Sequence, residues 1–182
     1  MADTALFTAE ALGLPGVLKI TPRVFNDERG LSSTTYAPEQ FAAIGITEQF
    51  VQDYFSHSHK HVIRGMHFQR APYAQGKLVR CASGEIFDVA ADCDPASPTY
   101  GTYVSTTLSA DAQTMLYIPG RYAHGFCVLS DQAVVEYKMS SIYEPNYAGG
   151  VRFDDPRLGI EWPISSPILS PRDASWPLLP HT

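Results

Sequence analysis

Short runs in which apolar and polar residues alternate follow one another along most of the chain, and this pattern predicts an all-β protein. GVLKITPRVF, LSSTTYA, EQFVQDYFSH, VIRGMHFQ, KLVRCASGEIFDVAAD, GTYVSTTLS, TMLYIP, HGFCVLS and AVVEYKMSSIY are rich in Val, Ile, Thr, Tyr and Phe. Gly, Pro, Asp and Ser punctuate them, as turns between strands require. The clearest hairpin is expected in KLVRCASGEIFDVA, where alternation continues on both sides of Ser83-Gly84. Many short strands at this spacing suggest a sandwich or barrel, the jelly roll among the candidates. One short helix is expected in APEQFAAIG: Pro38 suits a first turn, Phe41 and Ile44 share a face, and Gly45 can end it. Pro156, Pro163, Pro167, Pro171, Pro177 and Pro180 crowd the last thirty residues. That density argues against a regular helix or central strand and describes an irregular strap over the domain. With no repeat, low-complexity tract or linker, residues 1–182 read as one domain, with an N-terminal extension over 1–15 and the strap over 152–182.

Composition narrows the class of protein without choosing its chemistry. A chain of 182 residues, 45% hydrophobic and 18% charged, can bury a sizeable core. A net charge of −6 argues against a nucleic-acid partner, which needs a basic face, though not against a small anionic ligand held by a few cations. No apolar run approaches the ~20 residues of a membrane helix, and the N-terminus lacks the pattern of a secretory signal. A cytoplasmic protein that does not engage a membrane is the default expectation. Cys81, Cys93 and Cys127 are odd in number and lack C-x-x-C spacing, so they read as reduced core residues.

The densest chemistry lies in Ser56–Gln69, SHSHKHVIRGMHFQ, which holds four of the six histidines. On a strand, His57, His59 and His61 share one face and Ser58 and Lys60 the other. A transition-metal site needs about three converging ligands, and no Glu follows closely enough to support one here. The run therefore reads as a metal site or, more plainly, as a polar connection before the next strand. In that strand, alternation sets Ile63, Gly65, His67 and Gln69 on one face and Val62, Arg64, Met66 and Phe68 on the other. A lone histidine such as His67 is ordinarily a hydrogen-bonded core residue; as a catalyst it would need company. Lys77 in GKLVR, His124 in YAHGF, Tyr137 and Tyr143 in VEYKMSSIY, and Asp173 in SPRD are the candidates.

Six motifs in unbroken order over Gly16–Leu179 resemble one family. VFNDERG, FVQDYFSHSHKHVIRGMHFQ, AQGKLVRCASGEIFDVAAD, SPTYGTYV, YIPGRYAHGFCVLSD and DDPRLGIEWPI look like the dTDP-4-dehydrorhamnose 3,5-epimerases. The resemblance implies a cupin-type jelly-roll β-barrel with short peripheral helices. It also implies an isomerase that inverts C3 and C5 of a nucleotide-diphosphate 4-keto-6-deoxy-hexose in deoxysugar biosynthesis. No metal or other cofactor is implied, and the three earlier histidines become bystanders. By the same resemblance His67 is the base, Asp173 its carboxylate partner, Tyr137 the acid, and Lys77 the cation beside the developing enolate. His124 assists or holds a sugar hydroxyl. Arg29 and Arg64 hold the diphosphate, and Gln52, Tyr143 and Arg172 match further substrate positions. The segment carrying Arg29 is expected to cross to a second copy, making the active unit a homodimer.

The sequence departs from the family pattern at Thr34, Tyr54, Ile142 and Ala148, and Arg172 replaces a lysine. Three of these changes remove an aromatic platform or acidic acceptors near the nucleotide. The default substrate is dTDP-4-dehydro-6-deoxyglucose, with CDP- or GDP-linked 4-keto sugars and inversion at C3 alone left open. A sugar-nucleotide ketoisomerase, a metal-dependent cupin dioxygenase and a catalytically silent sugar-binding member are the competing readings.

Overall fold

The computed structural model describes residues 5–180. In chain order the strands are β1 (Phe7–Ala11), β2 (Leu18–Pro22), β3 (Val24–Asp27), β4 (Gly30–Ser33), β5 (Gln52–His59), β6 (Ile63–Gln69) and β7 (Lys77–Ser83). There follow β8 (Glu85–Ala91), β9 (Tyr103–Ser109), β10 (Met115–Ile118), β11 (Ala123–Val128), β12 (Gln132–Met139) and β13 (Ala148–Gly150). Two short helices are α1 (Pro38–Ala43) and α2 (Pro171–Ala174). A six-stranded sheet in the order β1-β2-β10-β7-β12-β5 faces a five-stranded sheet in the order β13-β6-β11-β8-β9, and β3 and β4 form a separate ribbon. This is the all-β, cupin-type jelly roll that the alternating pattern and the family resemblance led us to expect. Among the described residues no helix is long and apolar enough to cross a membrane.

Period-two alternation sends one face of each strand into the space between the sheets. Val79 and Cys81 of β7, Leu116 and Ile118 of β10 and Val135 of β12 meet Ile86 and Ala90 of β8 and Phe126 and Val128 of β11 there. Outside the six-stranded sheet, Phe41 of α1 packs on Phe7, Ile20, Leu78, Met115 and Tyr117. Outside the five-stranded sheet, Val151 and, from the C-terminal strap, Leu158, Ile160 and Leu179 cover Met66, Val89, Ala91 and Ala123. All three cysteines are free, and burial pushes the Cys81 and Cys127 thiols up to about 11. Helix α1 begins at Pro38, as its sequence predicts, and the chain turns out of it at Gly45 with φ +91°.

Three expectations need correction. The stretch around Ser83-Gly84 is not a hairpin: β7 pairs with β10 and β12, whereas β8 pairs with β11 and β9. The chain passes from one sheet to the other there. Gly84 has φ +79°, and a Cβ on it would lie 2.2 Å from the Gln132 carbonyl oxygen. Alternation shows that both strands are half buried, but it does not show that they pair with each other. The strap also contains one turn of helix, α2, in which Pro171 follows the Ser170 cap and supplies no missed hydrogen bond. Finally, Arg64 and His67 do not lie on opposite faces of β6. His67 pairs with His124 and Arg64 with Phe126, so two residues of β6, Gly65 and Met66, oppose the single Gly125 of β11. This bulge resets the alternation and turns both side chains the same way. It requires bare backbone, since a Cβ on Gly65 would meet the Gly125 Cα at 2.5 Å.

Candidate active site

Several core strands carry, near one end of their inward face, a polar group instead of an apolar one. On β7 the inward series Cys81, Val79 ends at Lys77; on β11 Val128, Phe126 ends at His124; on β12 Ala133, Val135 leads to Tyr137. Ladder pairing brings them together, with Tyr137 opposite Val79, Met139 opposite Lys77 and His67 opposite His124. They line a cavity of about 360 Å³ together with Gln52, Tyr54, Arg64, Tyr143, Ala148 and Arg172. The site thus takes His67 and His124 from the five-stranded sheet and Lys77 and Tyr137 from the six-stranded one.

His67 and Asp173 form a dyad. The imidazole Nε2 lies 2.6 Å from Asp173 Oδ1, although the two residues are 106 positions apart. Asp173 is delivered by α2 and is buried. Burial alone would raise its carboxyl, but hydrogen bonds and charge from His67, with the Gly65 backbone and Ser170, outweigh it and hold the group below its ordinary value. An ionised carboxylate accepting from Nε2–H leaves Nδ1 as the ring nitrogen with a free lone pair.

A second dyad lies deeper. His124 Nε2 is 2.6 Å from Asp88 Oδ1, and Asp88 is fully buried. The other carboxylate oxygen, Oδ2, has no hydrogen-bond partner among the described residues. Its charge reaches both groups of the opposite sheet. Burial lowers the Lys77 ammonium to about 8, against the pull of Asp88 in the other direction. Burial raises the Tyr137 phenol well above its ordinary range, and the charge of Asp88 adds to it. Tyr137 consequently keeps its proton at any working pH, while Lys77 stays mainly charged below about 8. The His124 ring stands edge-on to the Tyr137 ring, centroids 5.9 Å apart.

At the mouth, Arg64 Nε donates to the Ser58 hydroxyl at 2.9 Å. Gln52 Oε1 accepts from the Tyr143 backbone N–H at 2.9 Å, and Arg172 Nη1 donates to the Tyr143 hydroxyl at 3.2 Å. Two guanidinium groups beside an aromatic ring suit a phosphorylated, ring-bearing ligand. Of the four departures from the family pattern, Tyr54 and Ala148 line the cavity, whereas Thr34 and Ile142 do not. Arg29 stands apart from this cavity. It lies in the β3–β4 turn, its side chain 85% exposed and paired with Asp27. His57 and His59 lie on the exposed face of β5 with ring centroids 6.1 Å apart, and His57 bonds Gln132. Among the described residues no three His, Cys, Asp or Glu side chains gather as a metal set.

Sequence reasoning missed Asp88, although its signal was present: a lone acid on the inward face of the apolar strand EIFDVAA. It also passed over Trp176, whose ring stands 6.3 Å from that of His67, because three prolines around it made the segment read only as a strap.

The arrangement sets an imidazole–carboxylate pair on one wall of the cavity and a phenol with a buried ammonium on the other. Comparison with known proteins gives the family. Residues 11–181 match the family model described as dTDP-4-dehydrorhamnose 3,5-epimerase. An enzyme of that name from Salmonella typhimurium is 49% identical over 168 residues, covering 91% of this chain and 92% of its own. A dTDP-4-dehydrorhamnose 3-epimerase of Streptomyces niveus is 41% identical over 89% of this chain and 79% of its own. Among solved structures, the dTDP-6-deoxy-D-glucose-3,5-epimerase of Legionella pneumophila in complex with dTDP-4-keto-L-rhamnose superposes with a TM-score of 0.91 at 39% identity, over 95% of this chain and 93% of the other. The chain belongs to the dTDP-4-dehydrorhamnose 3,5-epimerase family.

Proposed function

We propose that this protein inverts C3 and C5 of a dTDP-linked 4-keto-6-deoxy-hexose, with His67 as the base and Tyr137 as the acid. The observation that carries the proposal is the placement of the His67–Asp173 dyad and the Tyr137 phenol on different sheets around one cavity. Both carbons flank the C4 ketone, so their protons are the acidic ones of the sugar. Nδ1 of His67 takes a proton from carbon, and the electron pair moves through the new carbon–carbon double bond onto the C4 oxygen. The Lys77 ammonium, itself buried, stabilises that enolate, and a desolvated fixed charge counts most there. Tyr137 then gives its proton to the same carbon from the opposite face, and the configuration is inverted. Proton return from imidazolium to tyrosinate, by way of solvent, resets the site. Asp173 keeps the imidazole in the productive tautomer. Arg64 and Arg172 bind the diphosphate, with Gln52, His124 and Tyr143 holding sugar and nucleoside groups. Arg29, remote from the cavity of its own chain, reaches that of a second copy by exchange of N-terminal segments in a homodimer.

Inversion at C3 alone is the second reading, favoured by the Streptomyces niveus relative and by Tyr54 and Ala148 in the cavity wall. One experiment tests both. Incubation with dTDP-4-dehydro-6-deoxyglucose in deuterated water should place deuterium at C3 and C5 of the product. Deuterium at C3 only would select the second reading. No deuterium at either carbon, with CDP- and GDP-linked 4-keto sugars equally inert, would refute the function.

A further inference from the structure

Trp176 does not line the cavity, yet three of its contacts converge on the dyad. Its ring stands 6.3 Å from the His67 imidazole at an interplanar angle of 67°. The Arg172 guanidinium lies over it, 5.0 Å from its centroid. Below it is Gly150, the cross-strand partner of His67 on β13. Directly opposed residues of an antiparallel pair carry their side chains to the same face, so a side chain at Gly150 would stand beside the imidazole. The indole takes that space instead: a Cβ built on Gly150 would fall 2.4 Å from Trp176 Cε2. Trp176 also follows Asp173 by three residues, so one short segment supplies both the hydrogen-bond partner of His67 and the surface against which its ring rests.

We propose that Trp176 is a positioning residue for the epimerisation: its indole walls one side of the His67 imidazole from behind the cavity lining, holds it in line with Asp173 and shields their hydrogen bond on that side, while the imidazole stays open to the cavity. The inference rests on the reading of His67 as the base. The ring torsion of histidine is broad. One hydrogen bond to Asp173 leaves the ring free to rock, and an aromatic wall removes that freedom. Excluding water also strengthens a charge-assisted hydrogen bond. The charged and titratable groups facing His67 are Asp173 and Arg172 from the strap, Arg64 on its own strand, His124 across the ladder, and Lys77 and Tyr137 from the other sheet.

The test compares Trp176→Ala, Trp176→Leu and Trp176→Phe with wild type in two measurements. Steady-state kinetics should show kcat falling about tenfold or more in Trp176→Ala with KM within about twofold, as for a misplaced catalytic group. Proton NMR in water should show a downfield imidazole N–H resonance, assigned by its loss in His67→Asn, that is present in wild type and absent in Trp176→Ala. Trp176→Phe, which keeps a flat wall, should recover most of both. If Trp176→Ala fails to fold, Trp176→Leu serves in its place, because it fills volume without presenting a flat face. Wild-type kcat and an undiminished resonance in a folded Ala or Leu variant would overturn the proposal. So would a raised KM at unchanged kcat, which would make Trp176 a binding residue. Should the wild type exchange no deuterium, the base assignment falls separately. A resonance dependent on Trp176 would still uphold the shielding, and an independent one would still overturn it.

Discussion

Replacing Lys77 by Met should slow catalysis and stabilise the protein at the same time. Lys77 is 6% exposed, and its ammonium is lowered from 10.5 to about 8 chiefly by burial. At about 1.4 kcal/mol per pH unit, that difference amounts to about 3 kcal/mol of destabilisation while the group is charged. The sign follows from the protons bound. Below pH 8 the folded and unfolded chains are both protonated at Lys77, and the folded state bears the whole cost. Between about 8 and 10.5 only the unfolded chain holds the proton, so wild-type stability gains with rising pH through this window. Above it the cost is gone. Methionine has similar length and no charge, so the variant should melt about 6–12 °C higher than wild type at pH 7, at about 2–4 °C per kcal/mol for a chain of this size. The gap should narrow towards pH 10. Removing a preorganised charge from the C4 oxygen should meanwhile lower kcat by about 10²–10³-fold. Thermal melts at pH 7 and pH 10 beside single-turnover kinetics provide the assay. A variant less stable than wild type by the same amount at both pH values, or one with normal kcat, would refute the reasoning.

Three further outcomes are expected. In wild type, kcat should decline as pH rises through about 8, where Lys77 gives up its proton, and a pH–rate profile flat to pH 10 would contradict that role. Asp173→Asn removes the charge that supports the imidazolium, so kcat should fall by about 10²–10⁴-fold with KM little changed, as read by steady-state kinetics. Gly84→Ala should cost about 1–3 kcal/mol in urea denaturation, because the residue combines φ +79° with a 2.2 Å approach to Gln132, while activity per folded molecule stays normal.

Much of the architecture is legible in the sequence because period-two alternation is a direct record of half-buried strands. It reports burial and not partners, which is why the corner at Gly84 looked like a hairpin. Alternation also assumes an unbroken ladder, and the bulge at Gly65-Met66 violates it by setting Arg64 and His67 on one side. Strand β1 was not anticipated; it lies within the stretch read as an N-terminal extension and pairs with β2 at the edge of the six-stranded sheet. Composition gives FTAEA little β character, and only the edge offered by β2 makes it a strand. Lys77, His124 and Tyr137 were picked out on family resemblance, since each alone passes for a surface or core residue. The physical reason for their convergence, strand ends meeting at one end of the barrel, needs the register. Asp88 was readable as an acid in an apolar face, but its partner His124 lies 36 positions away. Trp176 depends on the missing side chain of Gly150, a relation between two sequence positions that no periodicity connects.

The most direct measurement of a base on one wall and an acid on the other is the ratio of deuterium wash-in to stereochemical inversion in two variants. In His67→Asn, exchange at every inverted carbon should vanish, since no other group starts the reaction. In Tyr137→Phe the enolate still forms, so deuterium should continue to enter through His67 while inversion falls much further than exchange. Both quantities come from one sample, so differences in stability cancel in the ratio. Equal loss of exchange and inversion in a folded Tyr137→Phe variant would contradict the assignment of Tyr137 as the acid, and exchange surviving in His67→Asn would contradict His67 as the base.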